Sequence, residues 1–298
     1  MRNHMMSALV ALAVVGTAAC SVDVRGDGAV VREEKRFTVT GAPDLQLRTF
    51  DGSIRLKSWD RNEILVEIER RGPDAETAKA LVVEASQQGN KIVVEVPEPN
   101  GTREVIHIGS WQSASVSLTV TAPRRLTLDA RTGDGSITAD DLAGTLALTT
   151  GDGSIRIRRV EGALNAHTGD GSIQIDNAVG RLEAQSGDGS IDVDGRFEAV
   201  DVQSGDGSVH VSADEGSVVK SDWSISTGDG SIAVQLPGNI DAELDAHSND
   251  GRVRADGFSG LSTNQRDDDS GSVRGRLGKG GRVLRVRSGD GSIAINRR

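Results

Sequence analysis

From residue 132 onward, apolar and polar positions repeat with a period of 18 residues. Ile137, Ile155, Ile173 and Ile191 share one phase, and two residues later stand Ala139, Ile157, Ile175 and Val193. Nine residues after the isoleucines come Leu146, Leu164, Leu182 and Val200, followed two residues on by Leu148, Ala166, Ala184 and Val202. Alternation with period two marks half-buried strand. Each repeat therefore predicts two short strands with two inward side chains apiece. Two turns separate them, one at "GDG" and one near Gly144, Gly162 and Gly180. A unit of this size cannot bury its own apolar face, so the repeats must stack. Isoleucine over isoleucine then builds one narrow core, in which each buried aliphatic contributes about 1.5–3 kcal/mol.

The turn that precedes each isoleucine is spelled almost identically. Copies of T/S-G-D-G-S-I/V start at Thr132, Thr150, Thr168, Ser186 and Ser204, and related copies at Thr227, Ser248, Asp268 and Ser288. "DGSI" at 51–54 is an outlying copy. Gly135, Gly153, Gly171, Gly189, Gly207 and Gly230 hold one column, continued by Gly251, Gly271 and Gly291. They are predicted turn glycines at positive φ. The neighbouring Asp and Ser are predicted to close local hydrogen bonds to the backbone. "DG" between alternating runs is also a hairpin signal, so an antiparallel meander competes with stacked coils. Strands of about five residues are too short for an outer-membrane barrel, which needs about 9–11.

Upstream, "KRFTVT", "LQLRTF", "SIRLKSW" and "EILVEIER" alternate as strands do, and "KIVVEV" and "ASVSLTVTAP" resume the pattern. Between them, "PDAETAKALVVEASQQGN" predicts one helix. Asp74 is its N-cap, Glu76 lies in its first turn and Gly89 follows its end, with Ala75, Ala78, Leu81, Val82 and Ala85 on one face. The expected fold is mainly β: a β-solenoid (parallel β-helix) of short two-strand coils with a β-rich N-terminal cap containing one helix. The expected organisation is a signal peptide over 1–19, a lipidated cysteine and tether over 20–34, the cap over 35–131 and the repeat solenoid over 132–298.

The first residues carry the export signal. Arg2 precedes an apolar run from Met5 to Ala19, too short to span a bilayer and ending in small residues. Cys20 is the sole cysteine of the chain, so no intramolecular disulfide forms. "TAAC" resembles a lipobox in Ala18, Ala19 and Cys20, with Thr17 where an aliphatic residue is usual. Cleavage after Ala19 without lipidation is the alternative. Ser21, a residue other than Asp after the cysteine, resembles the outer-membrane sorting pattern. "RGD" at Arg25–Asp27 is expected by chance in a chain this rich in those residues.

Composition narrows the functions. The formal net charge is -10, which disfavours nucleic acid as a partner. Gly numbers 37 and Pro 6, so the glycines signal neither collagen nor a Pro-rich disordered chain. With 4 Phe, 3 Trp and no Tyr, the core must be aliphatic.

The stretch "VTAPRRLTLDARTGDGSITADDLAGTLALTTGDGSIRI" from Val120 to Ile157 resembles the DUF4097 group of bacterial envelope proteins, also labelled adhesins. "TFDGSIRLKSWDRNEILVEIE" resembles the opening strands of that group. The resemblance covers residues 36–298 and implies a β-helix, without implying a chemistry.

The Asp column, Asp134, Asp152, Asp170, Asp188, Asp206 and Asp229, is the one motif that suggests a ligand. Stacked carboxylates about 4.8 Å apart repel, and oxygen-rich surroundings suit Ca²⁺. The competing reading is solvated turn residues. "RDDDS" at 266–270 is a second acidic candidate. Catalysis finds little: His107, His167, His210 and His247 lack metal-ligand spacing, and the turns contain neither a nucleophile elbow nor a P-loop. A polysaccharide-active β-helix enzyme would need cleft walls, and only the loops at 212–224, with Trp223, and 237–247 have the length. The expected role is therefore a non-enzymatic envelope lipoprotein, adhesin-like or scaffold. Its partners would be the membrane through a lipid anchor, and envelope proteins or glycans. The basic stretch 274–298 carries eight Lys or Arg against one Asp. It is expected to shield the open end of the coil stack or to contact anionic polymers.

Overall fold

The computed structural model describes residues 20–25, 28–98, 114–265 and 271–298, and is mainly strand, with one short helix among the described residues. The chain opens with an antiparallel pair, β1 (Cys20–Arg25) and β2 (Gly28–Thr38). β3 (Asp44–Thr49) and β4 (Ile54–Trp59) follow, and β5 (Glu63–Gly72) lies antiparallel on β2. The helix α1 (Ala75–Ala80) leads to the hairpin β6 (Glu84–Gln88) and β7 (Lys91–Val96). Next come β8 (Ser115–Pro123), β9 (Arg125–Thr132), β10 (Ile137–Asp140), β11 (Ala143–Thr150), β12 (Ile155–Arg158) and β13 (Glu161–Thr168). In β14 (Ile173–Ser186) and β15 (Ile191–Ser204) the two strands of one repeat run together through a bulge.

The 18-residue period becomes a parallel pairing in strict register. Ile137 pairs with Ile155, Ile155 with Ile173 and Ile173 with Ile191. Leu146 pairs with Leu164, Leu164 with Leu182 and Leu182 with Val200. All eight side chains are buried, together with their two-residue neighbours such as Ile157 and Ala166. Two ladders result. Ladder A contains the strands after the GDG turn, and ladder B the strands before it. Their inner faces share one aliphatic core.

The second corner needs unusual backbone. Asp141, Arg159 and Asn177 stand at φ 56°, 52° and 57°, and Gly144, Gly162 and Gly180 at φ 127–128°. Positive φ recurs at this corner in successive repeats, and at the GDG corner it is found at Gly52 of the outlying copy. The GDG column Gly135, Gly153, Gly171, Gly189, Gly207 and Gly230 does not have it, contrary to the sequence expectation.

At both poles the order of rungs departs from the order of the chain. β3 pairs in parallel with both β7 and β9, and β4 with both β8 and β10. The earliest coil thus lies inside the stack, between two later ones. After β16 (Val209–Ala213), β17 (Trp223–Thr227) and β18 (Ile232–Leu236) continue the stack. β19 (Ala242–Ser248) and β20 (Val253–Asp256) form the terminal rung, and β21 (Leu261–Gln265) and β22 (Gly271–Leu277) a hairpin antiparallel to β19. The last strands, β23 (Val283–Ser288) and β24 (Ile293–Arg297), return to fill the place between these rungs. β23 pairs with β17 and β19, and β24 with β18 and β20.

Several expectations are corrected here. "DGSI" at 51–54 opens a full rung, since Ile54 pairs with Ile137, so the ladders cross the boundary drawn at 131. Residues 28–34 are strand rather than tether. Gly271 leaves the glycine column, because β22 is antiparallel and sets Gly271 opposite Ser248. The helix stops at Ala80: Leu81 is extended at φ -67°, ψ 114° and buried, and β-branched Val82 and Val83 lead into β6. Asp74 does cap it, accepting from the Thr77 N–H at 2.7 Å. The basic stretch 274–298 is divided: Arg274 and Arg276 lie on β22 in the terminal hairpin, while β23 and β24 lie one rung inside the stack.

Candidate functional site

The GDG corner is a structural device built from two features. The first is close approach. A Cβ on Gly153, Gly171, Gly189, Gly207 or Gly230 would lie far inside contact distance of the glycine carbonyl oxygen one rung away. Gly135 meets the carbonyl of Gly52 in the same way. Only glycine lets the corners stack at the strand spacing.

The second feature is the residue that opens each motif. The Thr168 hydroxyl is fully buried, donates to the Gly153 carbonyl at 2.9 Å and accepts from the Gly171 N–H at 3.2 Å. Thr150, Ser186, Ser204 and Ser288 repeat both bonds. Thr132, Thr227 and Ser248 make the carbonyl bond to Gly52, Gly207 and Gly291. Each hydroxyl ties its own turn to the next rung and satisfies groups that water cannot reach. The hydrogen bonds expected of the Asp and Ser beside the glycines are made by this residue instead. Its trace in the sequence is a first letter that is Thr or Ser at every rung corner from 132 onward. Thr168→Val should cost about 1–3 kcal/mol, because it leaves a buried carbonyl and N–H unpaired. Thr168→Ser should stay within about 0.5 kcal/mol, since Ser serves at 186 and 204. Denaturant melts of the two variants check this.

Asp134, Asp152, Asp170, Asp188, Asp206 and Asp229 all point to solvent at this corner, one per rung. Among the described residues no group of three or more His, Cys, Asp or Glu is placed to hold a metal ion. The acidic candidate 266–270 and His107 lie outside the described residues. His167 and His247 are on the outer face of ladder B and His210 is on that of ladder A, so they do not converge. Trp223 is fully buried at the start of β17, as core rather than cleft wall. Cys20 is the first residue of β1, paired with Glu33.

The two outer faces differ in how far they satisfy themselves. On ladder A, Arg158 binds Asp140 at 3.0 Å, Arg156 binds Gln174 at 3.1 Å and Gln174 reaches Asp176 at 3.2 Å. Asp141 accepts from the Ser58 hydroxyl at 2.8 Å and from Arg124, which together hold its carboxyl below the usual carboxylate range. At the C-terminal pole of ladder B, Asp245 is similarly occupied. Burial pushes its carboxyl up, but Arg287 at 2.5 Å and Arg274 at 2.9 Å more than offset this and lower it.

The middle of ladder B is different. Thr145, Ala147, Ala163, Asn165 and Ala199 keep the wall low there, and Arg181, Glu183, Asp201, Ser221 and Asp222 rise around it. The result is an open trough of about 380 Å³. Among the described residues, Asn165 and Asp201 make no side-chain hydrogen bond or ion pair with the protein, and Glu183 only a 3.4 Å contact from Gln185. The trough offers donors and acceptors at rung spacing without a nucleophile or a general base in a closed site. Sequence reasoning missed it, because its floor is made of residues that no motif marks.

The family model described as Toastrack DUF4097 matches residues 43–296. No curated protein matches the chain. Similar solved structures include a "putative cell adhesion protein" from Clostridium sporogenes, 14% identical, with a TM-score of 0.31, covering 90% of this chain and 99% of that one. Another is a "putative adhesin" from Bacteroides fragilis, 12% identical, with a TM-score of 0.35, covering 90% of this chain and 97% of that one.

Proposed function

Because the chain belongs to the Toastrack DUF4097 family, we propose that it is a non-enzymatic module of the cell envelope, adhesin-like or scaffolding, that presents one face of a β-solenoid. In this reading ladders A and B are two walls of the solenoid and each 18-residue repeat is one coil. Cys20 carries the lipid anchor and the preceding residues are the export signal. The ligand-facing wall is ladder B, and its partners are envelope glycans or proteins. The observation that carries the reading is a local contrast: on ladder A, Arg158 is bound to Asp140 and Arg156 to Gln174, while the polar groups of Asn165, Glu183 and Asp201 around the trough are left open. The column Asp134 to Asp229 serves as solvated turn residues.

Ala163→Arg and Ala199→Arg fill the trough from its floor without touching the core. Residues 28–298 are immobilised and challenged with envelope glycans and with detergent-solubilised envelope proteins. The filled variants should lose binding at least tenfold and keep the wild-type melting midpoint. Binding that persists unchanged in both variants would remove ladder B as the presenting face.

A further inference from the structure

The position of Cys20 bears on how the molecule stands on a membrane, given the reading that this cysteine is acylated. β1 is the outermost strand of ladder A at the N-terminal pole, joined only to β2. Cys20 is its first residue, opposite Glu33 in the middle of β2, so no slack separates the anchor from the folded sheet. At the same pole β6 is the outermost strand of ladder B. Val82, directly before β6, is 56% exposed and is one of two exposed large aliphatic residues among those described. The helix α1 covers β2 and β5 there, with Ala78 against Ala29 and Val31. Both walls therefore end toward the anchored pole, ladder A at the cysteine and ladder B two strands short of it, beside an unburied valine.

We propose that this pole rests on the bilayer surface and that the ladders run along the membrane normal. Ladder A counts thirteen strands from β1 to β20. At about 4.8 Å per strand the opposite pole stands roughly 55 Å from the headgroups. A chain lying flat would instead press a charged wall such as Arg156, Arg158 and Asp176 onto the lipid. The upright pose leaves both walls, and the trough on ladder B, open to solvent along their length.

The test uses the lipidated full-length protein in vesicles of phosphatidylethanolamine and phosphatidylglycerol with an energy acceptor on the headgroups. Acylated Cys20 has no free thiol, so Val82→Cys and Asp256→Cys each take a single donor dye. Position 82 should be quenched at least about threefold more than position 256, as a separation of about ten strand spacings, roughly 48 Å, demands. Equal quenching, or stronger quenching at 256, overturns the upright pose while leaving the anchor in place. Mass spectrometry of the N-terminal fragment separates the two ideas. A fragment without acyl chains, on protein that stays off the vesicles, removes the anchor and the pose together.

Discussion

Gly171→Ala should destabilise the protein by at least about 3 kcal/mol, at the upper end of what single substitutions do. The midpoint should fall by roughly 5 °C or more on a chain of this size. The new Cβ would occupy the space of the Gly153 carbonyl oxygen, which belongs to a rung that is itself stacked on both sides. Neither rung can retreat without breaking its ladder: Ile155 and Ile173 are paired in register directly beside the corner. The residue one position earlier provides the contrast. Asp170 is exposed, so Asp170→Ala should stay within about 0.5 kcal/mol. Thermal melts of the two variants decide the matter. A mild Gly171→Ala would mean that the corners are not stacked as closely as described.

Removing the last sixteen residues should be more damaging still, and its damage should be local. A chain ending at Arg282 lacks β23 and β24, and with them the buried Leu284, Val286, Ile293 and Ile295. At about 1.5–3 kcal/mol each, those four side chains rival the 5–15 kcal/mol that holds an ordinary domain together. The lost rung is not terminal. Its absence separates β17 and β18 from β19 and β20, so four strands lose a partner at once. Hydrogen exchange should show β19 to β22 unprotected, while β9 to β15 keep their protection. Protection of β19 to β22 in the truncated chain would contradict the placement of β23 and β24 inside the stack. The same arrangement implies that the C-terminal pole closes only after the whole chain has been made.

The core of the repeat was legible because an 18-residue period puts equivalent side chains at equivalent heights. Ile137, Ile155, Ile173 and Ile191 needed no further information to be placed over one another. The order of rungs at the poles was not legible. "DGSI" at 51–54 has the same alternation whether it starts the stack or lies inside it, and nothing local records that β3 and β4 separate β7 and β8 from β9 and β10. The copy ending at Gly271 shows the converse: motif letters without the flanking alternation of a rung corner. The turn glycines of the GDG column were expected at positive φ, and the structure sets a different requirement there. Close approach between rungs, a long-range effect, governs both Gly171 and Gly162, and positive φ, a local effect, adds a second requirement only at Gly162. The helix was overextended because Leu81, Val82 and Ala85 fit a helical face equally well. Pairing of β6 with β7 won that competition. The trough escaped notice because Ala163 and Ala199 matter through their small size, on an outer face where alanine is unremarkable.

The claim that carries most of this description is that the repeated motif builds corners rather than a ligand site. The direct measurement is a thermal melt of residues 21–298 in EDTA and in millimolar Ca²⁺. If Thr168 and its equivalents hold the corners and the Asp column is merely solvated, the two midpoints should agree within about 1 °C, less than the shift from 1 kcal/mol. A rise of several degrees with Ca²⁺, reversed by EDTA and lost when Asp152, Asp170 and Asp188 are changed to Asn, would contradict it and make the column a cation ladder.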